Sequence, residues 1–222
     1  MMLENLVRLI LRKVSAEKEI SIRELADSLG VSEGEVMEAA IVYGFNVQEN
    51  KIKVSDYEVL IFNLLKKGFS IEEILFYLGW KELESICAAL LSLNGFKILK
   101  NLRFKSGGRR YEIDVVGIKG DKILLIDCKK WRRYPISGVL KAVEKQLERA
   151  IAFSKVLEKT QVAKFVNFYN EVLLIPMVVT LTVDFKGSCP IVPVSMLKDF
   201  LDHFEDFLDN MEVVKVRISK LA

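Results

Sequence analysis

The chain has 222 residues, 51% of them hydrophobic, with 33 Lys and Arg, 30 Asp and Glu and a formal net charge of +3, which is ample for one large packed core or two smaller ones. No apolar run approaches the roughly 18 residues of a membrane span, and no charged start with an apolar stretch and small-residue cleavage site opens the chain, so a cytoplasmic protein with no membrane partner is expected. Three scattered cysteines, Cys87, Cys128 and Cys189, and a single histidine, His203, exclude a disulfide framework, a thiolate zinc site and any multi-histidine metal centre, which leaves acid, base and metal work to carboxylates and lysines.

Charge is unevenly distributed. Residues 1–80 hold 9 Lys and Arg against 13 Asp and Glu, whereas residues 81–222 hold 24 against 17, and residues 97–150 alone hold 15 against 6. A concentrated positive field around a few acids suits a polyanion held over a metal site.

In chain order, Leu6, Ile10 and Leu11 begin an amphipathic helix. Ser21 is placed to cap IRELADSLG, and Ser32 to cap EGEVMEAAIVYG, which ends at Gly44. FNVQENKIKVS predicts a hairpin turning at Glu49–Asn50. Helix, helix, helix and hairpin, with LADSLGVSEGEV in the middle, resembles a winged helix-turn-helix, so residues 1–55 are expected to form a mostly helical winged-helix-like domain. Its candidate recognition helix carries Glu33, Glu35 and Glu38, which repel phosphates, so protein contact or dimerisation is favoured over base reading. Two helices near 56–67 and 70–79 then bridge to a second domain, with a soft boundary near Gly79.

Residues 80–222 alternate helix and strand. KELESICAALLSLNGF reads as a helix with Gly95 at its C-terminal cap, and FKILKNLRF as a strand. Two further strands lie in YEIDVVGIKGDKILLIDCKKW, followed by a long helix over ISGVLKAVEKQLERAIAFSKVLEK. VLLIPMVVTLTV is a buried strand, PIVPV a short one, SMLKDFLDHFEDFLDNM a helix and VVKVRI a last strand. This mixture predicts an α/β domain with a mixed central sheet flanked by helices.

The stretch from Tyr111 to Trp131 sets charges at even spacing within two apolar runs. With a turn at Gly120–Asp121, Lys119 faces Lys122, and the same register carries Asp114 opposite Asp127 and Glu112 opposite Lys129, all on one face. Opposed residues have Cβ atoms roughly 4.5–5.5 Å apart, where like charges destabilise a sheet, so two opposed aspartates call for a cation. Oxygen-only ligands suit Mg²⁺. The same alternation is also that of an ordinary hairpin with a charged solvent face.

IDVVGIKGDKILLIDCKK resembles the PD-(D/E)xK nuclease superfamily, with Asp114 as first acid, Asp127 as second and Lys129 as the lysine. Glu84 lies eleven residues before Gly95, where archaeal Holliday-junction resolvases and Mrr-type restriction nucleases carry a helical glutamate before a Gly–aromatic pair. The resemblance covers about residues 81–205, with VVTLTV and IVPVSMLKDFL matching the Mrr-type C-terminal pattern. Ile113 stands where the motif name has proline, and Asp127 where glutamate is commoner. The resemblance implies a restriction-endonuclease-like fold that hydrolyses DNA phosphodiesters. It implies Mg²⁺, with Mn²⁺ as substitute, held by Asp114, Asp127, the Cys128 main-chain carbonyl and Glu84. Lys129 would orient the attacking water, with Gln146 on the following helix and Glu112 in supporting roles. Two symmetric cuts at a junction call for a homodimer.

The loop KSGGRR, residues 105–110, reads either as a solvated turn or as a phosphate clamp built from Lys105, Arg109 and Arg110, with Lys130, Arg132 and Arg133 extending the path. Trp80, Trp131 and the Cys128 side chain are expected in the core, and His203 on a helix surface. Two functional classes follow: a metal-dependent DNA endonuclease of restriction or junction-resolving type, or a nucleic-acid-binding or assembly protein that uses a nuclease fold as scaffold. The intact acid–acid–lysine set favours the first.

Overall fold

The computed structural model describes residues 2–17, 19–131, 135–185 and 187–219, with the backbone alone at positions 2, 3 and 80. It divides into two units, Met1–Ala89 and Leu90–Ala222.

In the first unit, side-chain caps fix the helix starts. Helix α1 (Met2–Ala16) buries Leu6, Ile10 and Leu11 along one stripe. After β1 (Glu19–Ser21), the Ser21 hydroxyl accepts the Glu24 N–H to start α2 (Ile22–Leu29). Ser32 and Glu35 form a reciprocal capping box at the head of α3 (Glu33–Tyr43), which stops at Gly44. Strands β2 (Asn46–Gln48) and β3 (Lys51–Lys53) join through Glu49 and Asn50, at φ 50° and 58°. Two positive φ values in succession match the right-handed twist of a two-residue hairpin. With β1 they make a three-stranded sheet in the order β1-β3-β2. Asp56 caps α4 (Tyr57–Lys66) and Ser70 caps α5 (Ile71–Leu78), and both helices belong to this unit. The chain then passes Gly79 through a short 3₁₀ turn into α6 (Leu83–Leu93), and the division between the units falls inside α6, after Ala89.

The second unit is built on a six-stranded mixed sheet. Strands β4 (Lys97–Ser106), β5 (Arg109–Lys119), β6 (Lys122–Lys129), β7 (Glu171–Thr180) and β8 (Ile191–Pro193) lie side by side in that order, and β9 (Val214–Arg217) pairs with β7. β4, β5 and β6 are antiparallel, β6 to β8 are parallel, and β9 runs antiparallel to β7. A parallel β6–β7 pair requires a crossover, which α7 (Ile136–Ser154) provides. Its Ala150 and Phe153 pack with Ile123, Leu125, Val172 and Leu174 in the main core. On β5, a Cβ at Gly117 would stand 3.0 Å from Leu91 of α6 and 3.2 Å from Phe96, so glycine is what lets that segment approach the sheet closely.

Two expectations are corrected in detail, and one short helix is added. Residues 105–110 are not a loop: β4 runs to Ser106 and β5 starts at Arg109, so that only Gly107 and Gly108, at φ 56° and 79°, turn the chain. The helix expected through Met211 is α-helical only over α9 (Leu197–His203) and tightens to a 3₁₀ helix over Phe204–Asn210. A one-turn helix, α8 (Ala163–Val166), follows α7 where none was predicted.

Candidate functional site

The β5–β6 hairpin brings two acids and a lysine to one place. Its register runs from Lys119↔Lys122 to Val115↔Ile126 about the turn at Gly120–Asp121, as alternation and the turn residues dictate. There the ladder ends. One residue further along β5, the Asp114 carboxylate accepts a hydrogen bond from the Cys128 main-chain N–H at 2.7 Å, so the acid itself continues the strand-to-strand contact. On the other side of β5 the register includes Lys100↔Val115 and Leu102↔Ile113, and Asn101, across from Asp114, adopts a left-handed conformation at φ 52°.

Asp127 is 4% exposed, and a buried carboxylate is tolerated only when paired. Its partners come from two directions. Lys129 Nζ, two residues along the same strand face, lies 2.8 Å from Asp127 Oδ2, and Arg149 Nη1 reaches Oδ1 at 2.9 Å from α7. The same Arg149 nitrogen donates to Gln146 Oε1 at 2.9 Å, while the fully buried Gln146 amide donates to the Leu125 main-chain oxygen at 2.7 Å. Gln146 thus ties α7 to β6, and Arg149, three residues further along the helix, presents its charge to Asp127. The sequence reading missed Arg149, although its spacing from Gln146 places both on one helix face.

Other predicted residues are distributed differently. Glu112 does not meet Lys129. It pairs instead with Arg103 on β4, at 3.1 and 3.3 Å, because the β5–β6 ladder ends before reaching it while the β4–β5 ladder sets Arg103 opposite. Glu84 lies in the first turn of α6, in the first unit. The Cys128 side chain is half-buried rather than fully in the core, as is Trp131. Lys105, Arg110 and Lys130 are exposed. Arg109 is drawn towards α7, where Glu148 Oε1 accepts from it at 3.0 Å and from the Tyr111 hydroxyl at 3.1 Å. Arg132 and Arg133 lie outside the described residues, as does the Trp80 side chain. His203 is exposed on α9, with Nδ1 2.9 Å from the Asp199 carbonyl, which raises its pKa along with neighbouring aspartates. Burial, reinforced by Glu212 and Asp127, pushes the Cys189 thiol up to about 12, so it is no nucleophile.

Two carboxylates with oxygen-only chemistry fit a hard divalent cation, since Mg²⁺ is usually held by one or two carboxylates with water completing the shell. Among the described residues no group of three or more His, Cys, Asp and Glu gathers as a metal-holding set.

A mixed sheet flanked by helices is consistent with a nuclease-like fold, and here it carries acids on adjacent strands and a lysine two residues after the second. Residues 78–180, which include Asp114, Asp127, Lys129, Gln146 and Arg149, match the family described as NERD, nuclease-related domain. No curated protein sequence matches the chain. Among solved structures, protein VC1899 from Vibrio cholerae is 13% identical with a TM-score of 0.39, the match covering 91% of this chain and 51% of that one. Can2 from Sulfobacillus thermosulfidooxidans, solved with cyclic tetra-adenylate, is 14% identical with a TM-score of 0.32, the match covering 95% and 46%. The chain spans about half the length of either. No helix among the described residues is long and apolar enough to cross a membrane.

Proposed function

We propose that the protein is a divalent-metal-dependent endonuclease that hydrolyses DNA phosphodiesters, of the Mrr-type restriction or junction-resolving class, with Mg²⁺ or Mn²⁺ as its ion. The observation that carries this reading is the buried charge of Asp127, kept beside Lys129 and next to the strand position that Asp114 grips. A hairpin surface has no use for a carboxylate held out of water among cations, whereas a phosphodiesterase centre does.

Asp114 and Asp127 would hold the ion with the Cys128 carbonyl. The ion, when bound, supplies Lewis acidity and a water of lowered pKa. Lys129, fixed against Asp127, is placed to orient that water and to offset charge developing on the phosphoryl oxygens. Gln146 keeps α7 on β6 and so fixes the site from behind. The exposed Lys105, Arg110 and Lys130, with Arg132 and Arg133, would carry the DNA backbone.

For the first unit, the order α1-β1-α2-α3-β2-β3 with sheet order β1-β3-β2 supports a winged-helix assignment. On α3, Met37 and Ile41 are exposed one turn apart beside Glu33 and Glu38, a face suited to protein and repelled by phosphate. A homodimer through such a face, in a cytoplasmic protein, would present two centres to one DNA.

A second reading is favoured by the ion pairs themselves: Asp127 already has two cationic partners, as it would in a nuclease fold kept as a nucleic-acid-binding scaffold. Purified full-length protein, incubated with linear, flapped and four-way DNAs over a Mg²⁺ and Mn²⁺ titration, separates the two. Metal-dependent cleavage lost in Asp127→Asn supports the enzyme. DNA binding without cleavage under every condition supports the scaffold.

A further inference from the structure

The Arg149 guanidinium has a placement that the proposed chemistry leaves unexplained. It is not a surface arginine that happens to lie near an acid: its side chain is 23% exposed, and its position is dictated by Gln146, a fully buried residue anchored to the Leu125 carbonyl. The same nitrogen bridges Gln146 and Asp127. Asp127 thus faces two cations, Lys129 from its own strand and Arg149 from α7.

We infer that Arg149 is a positioning residue that acts as a built-in counter-ion, holding Asp127 until a divalent cation displaces it, an inference that rests on the metal-centre reading above. A dication beside Asp127 repels both monocations at short range. Lys129 is confined to the strand that carries Asp127, two residues away. Arg149 has a long side chain on a separate element and keeps a second acceptor, Gln146 Oε1, when it lets go. It is the cation that can withdraw and still keep a hydrogen-bond acceptor, and it stays tethered at the edge of the centre. Divalent-ion affinity is then set by competition, and the Asp127 carboxylate stays paired until the ion arrives.

The test is Mn²⁺ binding by titration calorimetry on the full-length protein, which does not depend on cleavage. Arg149→Gln is expected to bind Mn²⁺ about tenfold or more tightly than wild type, the scale on which groups around metal ligands act, and Mn²⁺ should raise its unfolding midpoint further. Arg149→Met, which keeps the aliphatic stem, is read in the same way and carries the test if the glutamine variant does not fold. Asp114→Asn serves as control and is expected to bind weakly. Affinity of both arginine variants equal to or below wild type, with binding still dependent on Asp114, overturns the counter-ion role and leaves the metal centre standing. Binding that is absent in all variants, or indifferent to Asp114, overturns the metal centre and the counter-ion role together.

Discussion

The Asp114 carboxylate accepts the Cys128 main-chain N–H at 2.7 Å, one residue past the last paired position of the β5–β6 ladder. A side chain here takes the place of a main-chain carbonyl, so the acid serves structure and chemistry at once, and substitutions should separate the two. Asp114→Asn keeps an acceptor oxygen and should change stability by less than about 1 kcal/mol, while Asp114→Ala strands the N–H and should cost roughly 1.5–3 kcal/mol, the scale of a hydrogen bond to a charged group. Both should lose metal-dependent cleavage. Urea unfolding of the two variants beside a cleavage assay checks this, and equal stability of the pair would show that the hydrogen bond carries no weight.

Asn101, across from Asp114, is the next case. Its φ of 52° is a conformation that asparagine tolerates and that a β-branched residue resists. Asn101→Gly should be nearly neutral in stability and cleavage. Asn101→Val should cost roughly 1–2 kcal/mol, and if it relieves the strain by flattening β4, it should also lower cleavage by moving Asp114. A valine variant as stable and active as the glycine one would mean that the left-handed conformation of Asn101 does not position the acid.

The hairpin register is legible because Gly120–Asp121 marks where the chain reverses, and once the turn is placed every opposed pair follows from it, as Lys119↔Lys122 through Val115↔Ile126 show. Caps at Ser21 and Ser32 are legible as well, since a short polar side chain before an apolar run has one local use. What escaped was set by pairing between distant segments. Extending the register outward led to Glu112 facing Lys129, but β4 competes for that end of β5 and its Arg103 takes Glu112. Lys105 and Ser106 carry no apolar signal, which gives residues 105–110 the look of a loop, although main-chain pairing with Arg110 and Arg109 keeps them in the strand. Arg149 escaped because the phase of α7 against the sheet is fixed by packing, and one amphipathic helix does not reveal which strand residue its polar edge will meet.

Gln146 is a polar side chain with no exposure, bonded to the Leu125 carbonyl at 2.7 Å and to Arg149 at 2.9 Å. Gln146→Met, close in shape, leaves the arginine without its second acceptor and removes a buried donor. The expected destabilisation is about 1–3 kcal/mol, measured by denaturant unfolding. A variant as stable as wild type would assign the tie between α7 and β6 to apolar packing alone.

The last prediction distinguishes two adjacent arginines at the tip of the β4–β5 hairpin. Arg110 is exposed, and under the DNA-binding reading its substitution by alanine should reduce the log–log salt slope of duplex binding by about 0.9, the share of one neutralised phosphate. Arg109 is different: Glu148 holds it at 3.0 Å and Tyr111 shares the same carboxylate, so it must give up an ion pair to meet a phosphate. Arg109→Ala should therefore change the slope less than Arg110→Ala, and Glu148→Gln, which frees the guanidinium and removes a like charge from the DNA path, should steepen it. Fluorescence anisotropy of a labelled duplex between about 50 and 200 mM salt reads all three. Equal slopes for the two arginine variants would show that Glu148 does not restrain Arg109, and slopes unchanged in all three would remove the hairpin tip from the DNA path.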